Sequence, residues 1–428
     1  MHLRAHTFAA ALCLASLAGC GGERPSPSVA VVAPSEAEPP ASNDGPPAVP
    51  EPAPPPARPL LAIDTHVDTP QRMLDAGDDI GQRLPDGHLD LPRMREGELT
   101  GAFFSVWVDP RRFPGEAAWQ RALALTRVIR EVAERHPDQA VLATSAADVR
   151  RAHAEGKIAL LVGVEGAHAL GAPGDDEVLL ARLRQLFELG ARYLTVTWTN
   201  DNPLAHASTG RHPDRGLTEL GRRAVREMNR MGMIVDVSHV SDRTFWDVLE
   251  VSERPVLASH SSCRALADHP RNMTDAMIRA LGERGGAVCI NYYTQFIDTA
   301  YADRRRRLER MHADRFDALR EAHPRSWQRW APHNALAREL DATLEAPTIE
   351  TLGAHFAHVV ELAGPEAVCL GSDFDGVGEL PVGLEDASRL GALRAELERR
   401  GLPLAPILGE NVLRILEAQA GPSTGSTR

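Results

Sequence analysis

The chain has 428 residues, 43% of them apolar and 25% charged, so it can bury a large core and is too hydrophobic overall to be a disordered protein. Its formal net charge is −12, and its positive charge is nearly all arginine, with Lys157 the only lysine. No basic face or stripe offsets that acidic excess, which excludes a nucleic-acid-binding surface as its working part.

Residues 1–20 read as a targeting segment. Arg4 and two histidines precede an apolar stretch from Phe8 to Ala18, long enough for the hydrophobic part of a signal peptide and too short to span a bilayer. It runs into LAGC, residues 17–20, which resembles the lipobox of bacterial lipoproteins. That resemblance implies lipidation of Cys20 and a membrane anchor outside the cytoplasm. Residues 21–59 are rich in Pro, Ala, Ser and Glu, a composition that favours extended chain and cannot bury a core, and are expected to form a disordered stalk. No later segment reaches eighteen uninterrupted apolar residues, so residues 60–417 are expected to be a soluble domain held at a membrane surface, with a disordered tail at 418–428.

Within 60–417, eight short runs rich in apolar and β-branched residues read as strands: 61–67, 101–108, 158–166, 193–198, 233–239, 255–261, 286–293 and 367–374. Between them lie amphipathic stretches such as AAWQRALALTRVIREVAERH and LTELGRRAVREMNRMG, whose apolar residues recur every three or four positions. Strands alternating with helices imply right-handed parallel crossovers, and eight such units predict an α/β fold, a closed (β/α)₈ TIM-type barrel. An open doubly wound sheet is the alternative. The lack of GxGxxG after the first strand argues against its dinucleotide-binding version.

Six polar residues stand at the C-terminal ends of these runs: His66 and Asp68 on the first, Glu165 on the third, His239 on the fifth, His260 on the sixth and Asp373 on the eighth. In a closed barrel those ends converge on one mouth, where active sites of this fold are built. A lone strand-end histidine is more often a satisfied hydrogen-bonding residue, but six groups at corresponding ends of five strands point to a shared site. Three imidazoles and three carboxylates suit a hydrolytic zinc site, with enough ligands for two ions and with Glu165 able to bridge them. A carboxylated lysine as the bridge has no candidate here, because Lys157 lies at the start of its strand.

The ordered motifs DTHVD, GVEGAH, DVSH, ASHSS, HPRNM and GSDFDG, closed by GENVLRIL, resemble the membrane dipeptidase (renal dipeptidase, peptidase M19) family of zinc peptidases across residues 60–417. The resemblance implies an amidohydrolase-type barrel, a dimer and two zinc ions. It implies that His66 and Asp68 bind one ion, His239 and His260 the other, and that Glu165 bridges them. It further implies that Asp373 is the acid/base and that Arg271, eleven residues after His260, grips the substrate carboxylate. A hydroxide held between the ions would then attack the scissile amide of a dipeptide. A non-catalytic peptide-binding lipoprotein, or a hydrolase of another small amide or lactam, would use the same pocket. Asp375 is the rival to Asp373, and is expected to be supporting or loop structure.

One position departs from the vertebrate pattern of that family. Where those enzymes carry a substrate-binding histidine after the fourth strand, this chain has Trp198 in YLTVTWTNDNPLAHAS. An indole donates one hydrogen bond and takes up no proton, so the departure bears on substrate range and rate rather than on reaction class. His206 is expected at the surface, with reach into the site from a flexible loop as the alternative, and His168 either near substrate and glutamate or capping the next helix. His355 and His358 precede the last strand and are expected to support the barrel's outer ring. The arginine run at 304–307 lies in a charged insertion, residues 298–350, and is expected to form a solvated helix that lids the site or builds a dimer contact. Cys263, Cys289 and Cys369 lack CxxC spacing and are expected mostly as small buried side chains, with one disulfide allowed outside the cytoplasm.

Overall fold

The computed structural model describes residues 59–420; Cys20, the targeting segment and most of the stalk lie outside the described residues. Nine parallel strands are present: β1 (Ile63–Val67), β2 (Gly101–Trp107), β3 (Ala140–Leu142), β4 (Ile158–Glu165), β5 (Ala191–Thr195), β6 (Ile234–Asp236), β7 (Leu257–Ala258), β8 (Ala287–Ile290) and β9 (Val368–Leu370). Eight close a ring in the order β1, β2, β4, β5, β6, β7, β8, β9, with β9 pairing back to β1. The predicted barrel is therefore observed. The short strand β3 is an addition to the predicted set; it pairs only with the first half of β4, while β5 takes the second half from Val162 to Glu165, so β3 stands outside the ring.

Alternation along β4 decides which side chains reach the interior. Ala159 and Leu161 pack inside the barrel with Ile63, Phe103, Tyr193, Ile234 and Leu257, whereas Leu160, Val162 and Val164 pack outward against the helices. Period two then carries Glu165 to the inner face at the strand's last residue. The N-terminal end of the barrel is plugged by Val412, Leu413, Ile415 and Leu416 of the helix Asn411–Gln419, which continues two residues past the expected domain edge. Each such side chain, fully buried, contributes about 1.5–3 kcal/mol. On the outside, the helix Glu116–Arg135 buries Trp119, Ala122, Leu125, Ile129 and Val132 at spacings of three and four, with Glu116 complementing its N-terminal dipole.

Strand β1 carries one extra residue relative to β2: Asp64 pairs with Ala102 but Val67 with Phe104. A bulge of this kind re-aims side chains, and here it lets Val67 join the outer core while His66 turns to the mouth. Cys289 and Cys369 are register partners on β8 and β9 and form a disulfide, leaving Cys263 as the buried free thiol. The expectation that most of the three are plain buried side chains is thus corrected; adjacency in the sheet brings two of them together.

The insertion between β8 and β9 folds into the helices Thr299–Met311, Ala313–Ala322 and Ser326–Leu340 with a small core of its own, including Tyr301, Leu308, Phe316 and Leu336. It docks on the mouth through Glu379, which accepts from Tyr301 and meets Arg305 at 3.4 Å, and through Trp330, stacked on His88 at 4.9 Å. Arg305 is buried and also pairs with Glu309, so this member of the arginine run is a docking residue rather than part of a solvated face.

Candidate active site

The six strand-end residues converge at the C-terminal mouth. His66 lies within β1, Asp68 one residue beyond it, and Glu165 ends β4; His239, His260 and Asp373 sit two or three residues past β6, β7 and β9, in the turns rather than on the strands. His239 and Asp373 have left-handed backbones, φ 69° and 64°, a conformation that costs non-glycine residues of order 1–3 kcal/mol and concentrates at functional sites.

Glu165 is at the centre. Its Oε2 lies 3.6 Å from His66 Nε2, and its Oε1 lies 2.8 Å from His239 Nε2 and 3.5 Å from His260 Nε2. His66 Nε2 is also 3.7 Å from Asp68 Oδ2, and the ligand-type atoms of His66, Asp68 and Asp373 form a second compact group. These separations suit a metal, since two ligands each about 2.1 Å from one tetrahedral ion stand about 3.4 Å apart. His66 Nε2 and Asp68 Oδ1 are buried without a hydrogen-bond partner among the described residues, which is costly unless something binds them. A cation meets that need.

Neighbouring side chains fix the ring orientations. His66 Nδ1 is 2.7 Å from the Tyr193 hydroxyl, and His260 Nδ1 is 2.8 Å from Ser259 Oγ, which in turn donates to Asp236 Oδ2 at 2.6 Å. With Nδ1 protonated in both rings, each Nε2 lone pair is free for a metal. Burial first, then His66 and Arg271, holds His260 well below the usual imidazole range; burial, Arg271 and His66 do the same to His239. Both rings are therefore neutral. Burial raises Glu165 and Asp373 above the ordinary carboxylate range, with His66 opposing and Asp68 adding to the shift in each case.

Two glycines give the cluster its room. A Cβ at Gly163 would sit 2.1 Å from the Tyr193 ring, and one at Gly376 would sit 2.1 Å from Asp373 Oδ1 and 2.3 Å from Asp68 Oδ2.

A cavity of about 720 Å³ opens over the cluster, lined by Asp68, Glu165, His239, Arg271, Asp373 and Trp198 among others. Arg271 is buried; its Nη2 donates to the His260 carbonyl at 3.2 Å, while Nε and Nη1 have no hydrogen-bond partner among the described residues. Burial lowers its pKa to about 10, so it is cationic at neutral pH. Asp373 Oδ2 accepts from Asn291 Nδ2 at 2.9 Å. Asp375 accepts from the His88 backbone N–H at 2.7 Å and from Thr69 Oγ1 at 2.6 Å, which makes it a loop support. Trp198 meets Trp107 edge-on at 5.0 Å and lies 6.5 Å from His239, ring centre to ring centre.

The other histidines marked in the sequence lie outside the cluster. His168 bonds the Val108 carbonyl at 2.7 Å from the turn Ala167–Leu170, and His206 faces Asp201 at 3.4 Å. His355 accepts from the Cys263 N–H, and His358 pairs with Asp275, both from the outer helix Ile349–Ala363. Sequence reasoning missed Tyr193, Asp236, Ser259 and Asn291. Their signal was adjacency: each belongs to a strand or motif already marked, as in DVSH and ASHSS.

A closed parallel barrel with a buried histidine and carboxylate cluster at its C-terminal mouth defines a metallohydrolase architecture. The family model for membrane dipeptidase (peptidase family M19) matches residues 57–424. An uncharacterized dipeptidase of Schizosaccharomyces pombe is 34% identical over 346 residues, 77% of this chain and 71% of that protein. Among solved structures, a probable dipeptidase, PvdM, from Pseudomonas aeruginosa is 25% identical with a TM-score of 0.70, covering 84% of this chain and 95% of its own. A metallopeptidase from Rhodobacter sphaeroides, solved with a phosphinate mimic of the dipeptide L-Ala-D-Ala, is 26% identical with a TM-score of 0.67, covering 84% and 99%. The chain belongs to the membrane dipeptidase, peptidase M19, family.

Proposed function

We propose that this chain is a zinc dipeptidase with two ions, His66 and Asp68 on one, His239 and His260 on the other, and Glu165 between them. The division of Glu165 supports the bridging role, since its two oxygens face different imidazoles. Zinc bound there would polarise the scissile carbonyl and activate water near neutral pH. The observation that carries the substrate assignment is Arg271: a buried guanidinium with two unpartnered donors, in the same cavity as the cluster.

A free peptide carboxylate matches those donors with charge-assisted hydrogen bonds and fixes the amide over Glu165. Asp373, whose Oδ2 is held by Asn291, takes the proton of the attacking water and returns it to the leaving amine. A pKa above the ordinary carboxylate range suits that exchange. Trp198 contributes an apolar wall where a histidine would supply a proton. The phosphinate dipeptide mimic bound by the Rhodobacter sphaeroides relative supports a dipeptide as substrate, including one with a D-residue at its C-terminal position.

The lipobox-like LAGC supports a lipid anchor at Cys20, and the Cys289–Cys369 disulfide fits a compartment outside the cytoplasm. Radiolabelled palmitate incorporated into the full chain and lost in Cys20→Ala tests the anchor. A dipeptide panel that includes C-terminal D-residues tests the activity, and zinc-loaded protein that cleaves none of them contradicts it.

A further inference from the structure

We propose that the outer wall of the cavity holds a subsite for an acidic side chain on the amino-terminal residue of the dipeptide, an inference that rests on the dipeptidase reading. Arg329, on the helix Ser326–Leu340, is half-buried, lines the cavity, and makes no hydrogen bond or ion pair with any described residue. Two other cavity arginines stand close enough to repel it, Arg320 and Arg111, and Asp109 is the carboxylate that opposes them. The nearby carboxylates are already engaged. Arg111 faces Asp109 at 3.8 Å, and Arg320 is paired with Asp317. Arg325 lies over Trp327 at 5.6 Å with no carboxylate partner among the described residues. Arg111, Arg320, Arg325 and Arg329 thus all line this cavity, Asp109 is the lining carboxylate that acts on Arg329, and Arg329 is left without an anionic partner among the described residues. An anion is the missing partner.

Ring order says which part of the substrate reaches it. Asp109 and Arg111 follow β2 and Arg271 follows β7, and these strands stand four places apart in a ring of eight, on opposite sides of the mouth. A dipeptide gripped by its carboxylate at Arg271, with its amide over Glu165, extends its amino-terminal residue toward the β2 side. An aspartyl or glutamyl side chain there meets Arg329.

Calorimetric titration of zinc-loaded Asp373→Asn protein with Glu-Ala, Gln-Ala, Ala-Glu and Ala-Gln tests this without turnover. Glu-Ala is expected to bind about tenfold more tightly than Gln-Ala, a gap that widens at low salt, as for a charge-assisted contact. In the added variant Arg329→Gln that ratio should fall to about one, with Gln-Ala affinity unchanged. Equal binding of Glu-Ala and Gln-Ala overturns the inference. So does an equal loss of both in Arg329→Gln, or discrimination confined to Ala-Glu against Ala-Gln. The dipeptidase reading is judged separately by turnover of Gln-Ala in the unaltered enzyme: no turnover together with tighter Glu-Ala binding removes that reading and leaves the subsite standing.

Discussion

Replacing Arg271 with methionine removes a buried cation while keeping most of the side chain's length and apolar stem. In the ligand-free protein two of its donors, Nε and Nη1, are buried without partners. Each unsatisfied buried donor costs about 1–3 kcal/mol, which offsets the loss of the Nη2 bond to the His260 carbonyl and of the attraction to Asp373 and Glu165, so the variant should melt close to the parent. Its effect on substrate is the reverse. Charge-assisted hydrogen bonds are worth about 1.5–3 kcal/mol each, and truncating one side of a buried charged pair typically costs about 2–5 kcal/mol. A loss of about 3–4 kcal/mol lowers kcat/KM about 10²- to 10³-fold. The assay compares a dipeptide with its C-terminal amide in both proteins. The parent should prefer the free acid by a similar factor, and Arg271→Met should not distinguish the two. Retention of the acid preference in the variant, or a collapse of melting temperature alongside activity, refutes the carboxylate-gripping role.

Asp373→Asn should lower kcat about 10²- to 10⁴-fold, the usual range for a lost general acid/base, while metal analysis finds its zinc content unchanged. Ser259→Ala breaks the link from His260 to Asp236 and should weaken zinc binding about 10- to 100-fold in a competitive chelator titration, leaving the fold intact by circular dichroism. For metal-free protein, the raised pKa values of Glu165 and Asp373 mean that the folded state binds more protons than the unfolded one above the ordinary carboxylate range. Those two groups make stability fall as pH rises from about 5 toward neutrality, each by at most about 1.4 kcal/mol per pH unit. His239 and His260, whose lowered pKa values leave them neutral in the fold, contribute an opposing rise, so the fall due to Asp373 is read as the difference between the parent and Asp373→Asn. Thermal melts with and without zinc check this, and zinc should suppress the fall.

The barrel was legible because buried parallel strands are continuous apolar runs, and because a ligand set at strand ends has one natural meeting place. What escaped lay below the reach of pattern. Strand β3 is three residues long and pairs with one neighbour, so AVL offers no period to detect. His239, His260 and Asp373 read as strand ends, yet the strands stop earlier and left-handed turns at His239 and Asp373 aim two of these side chains inward. Alternation along β1 alone would send His66 outward with Asp64, and the bulge that reverses it depends on pairing with β2. Arg305 reads as one of four exposed arginines because Glu379, the partner that docks it on the mouth, is remote in sequence. The disulfide likewise depends on β8 and β9 being neighbours in register, 80 residues apart along the chain.

Central to the proposed function is a single metal cluster, centred on Glu165, that hydrolyses dipeptides. Zinc stoichiometry and dipeptide turnover measured on the same sample, before and after chelation and after zinc is restored, provide the decisive test. The expected result is two zinc ions per chain, with turnover that disappears on chelation and returns with zinc. Turnover that survives complete removal of metal, or full zinc loading with no dipeptide cleaved, contradicts it.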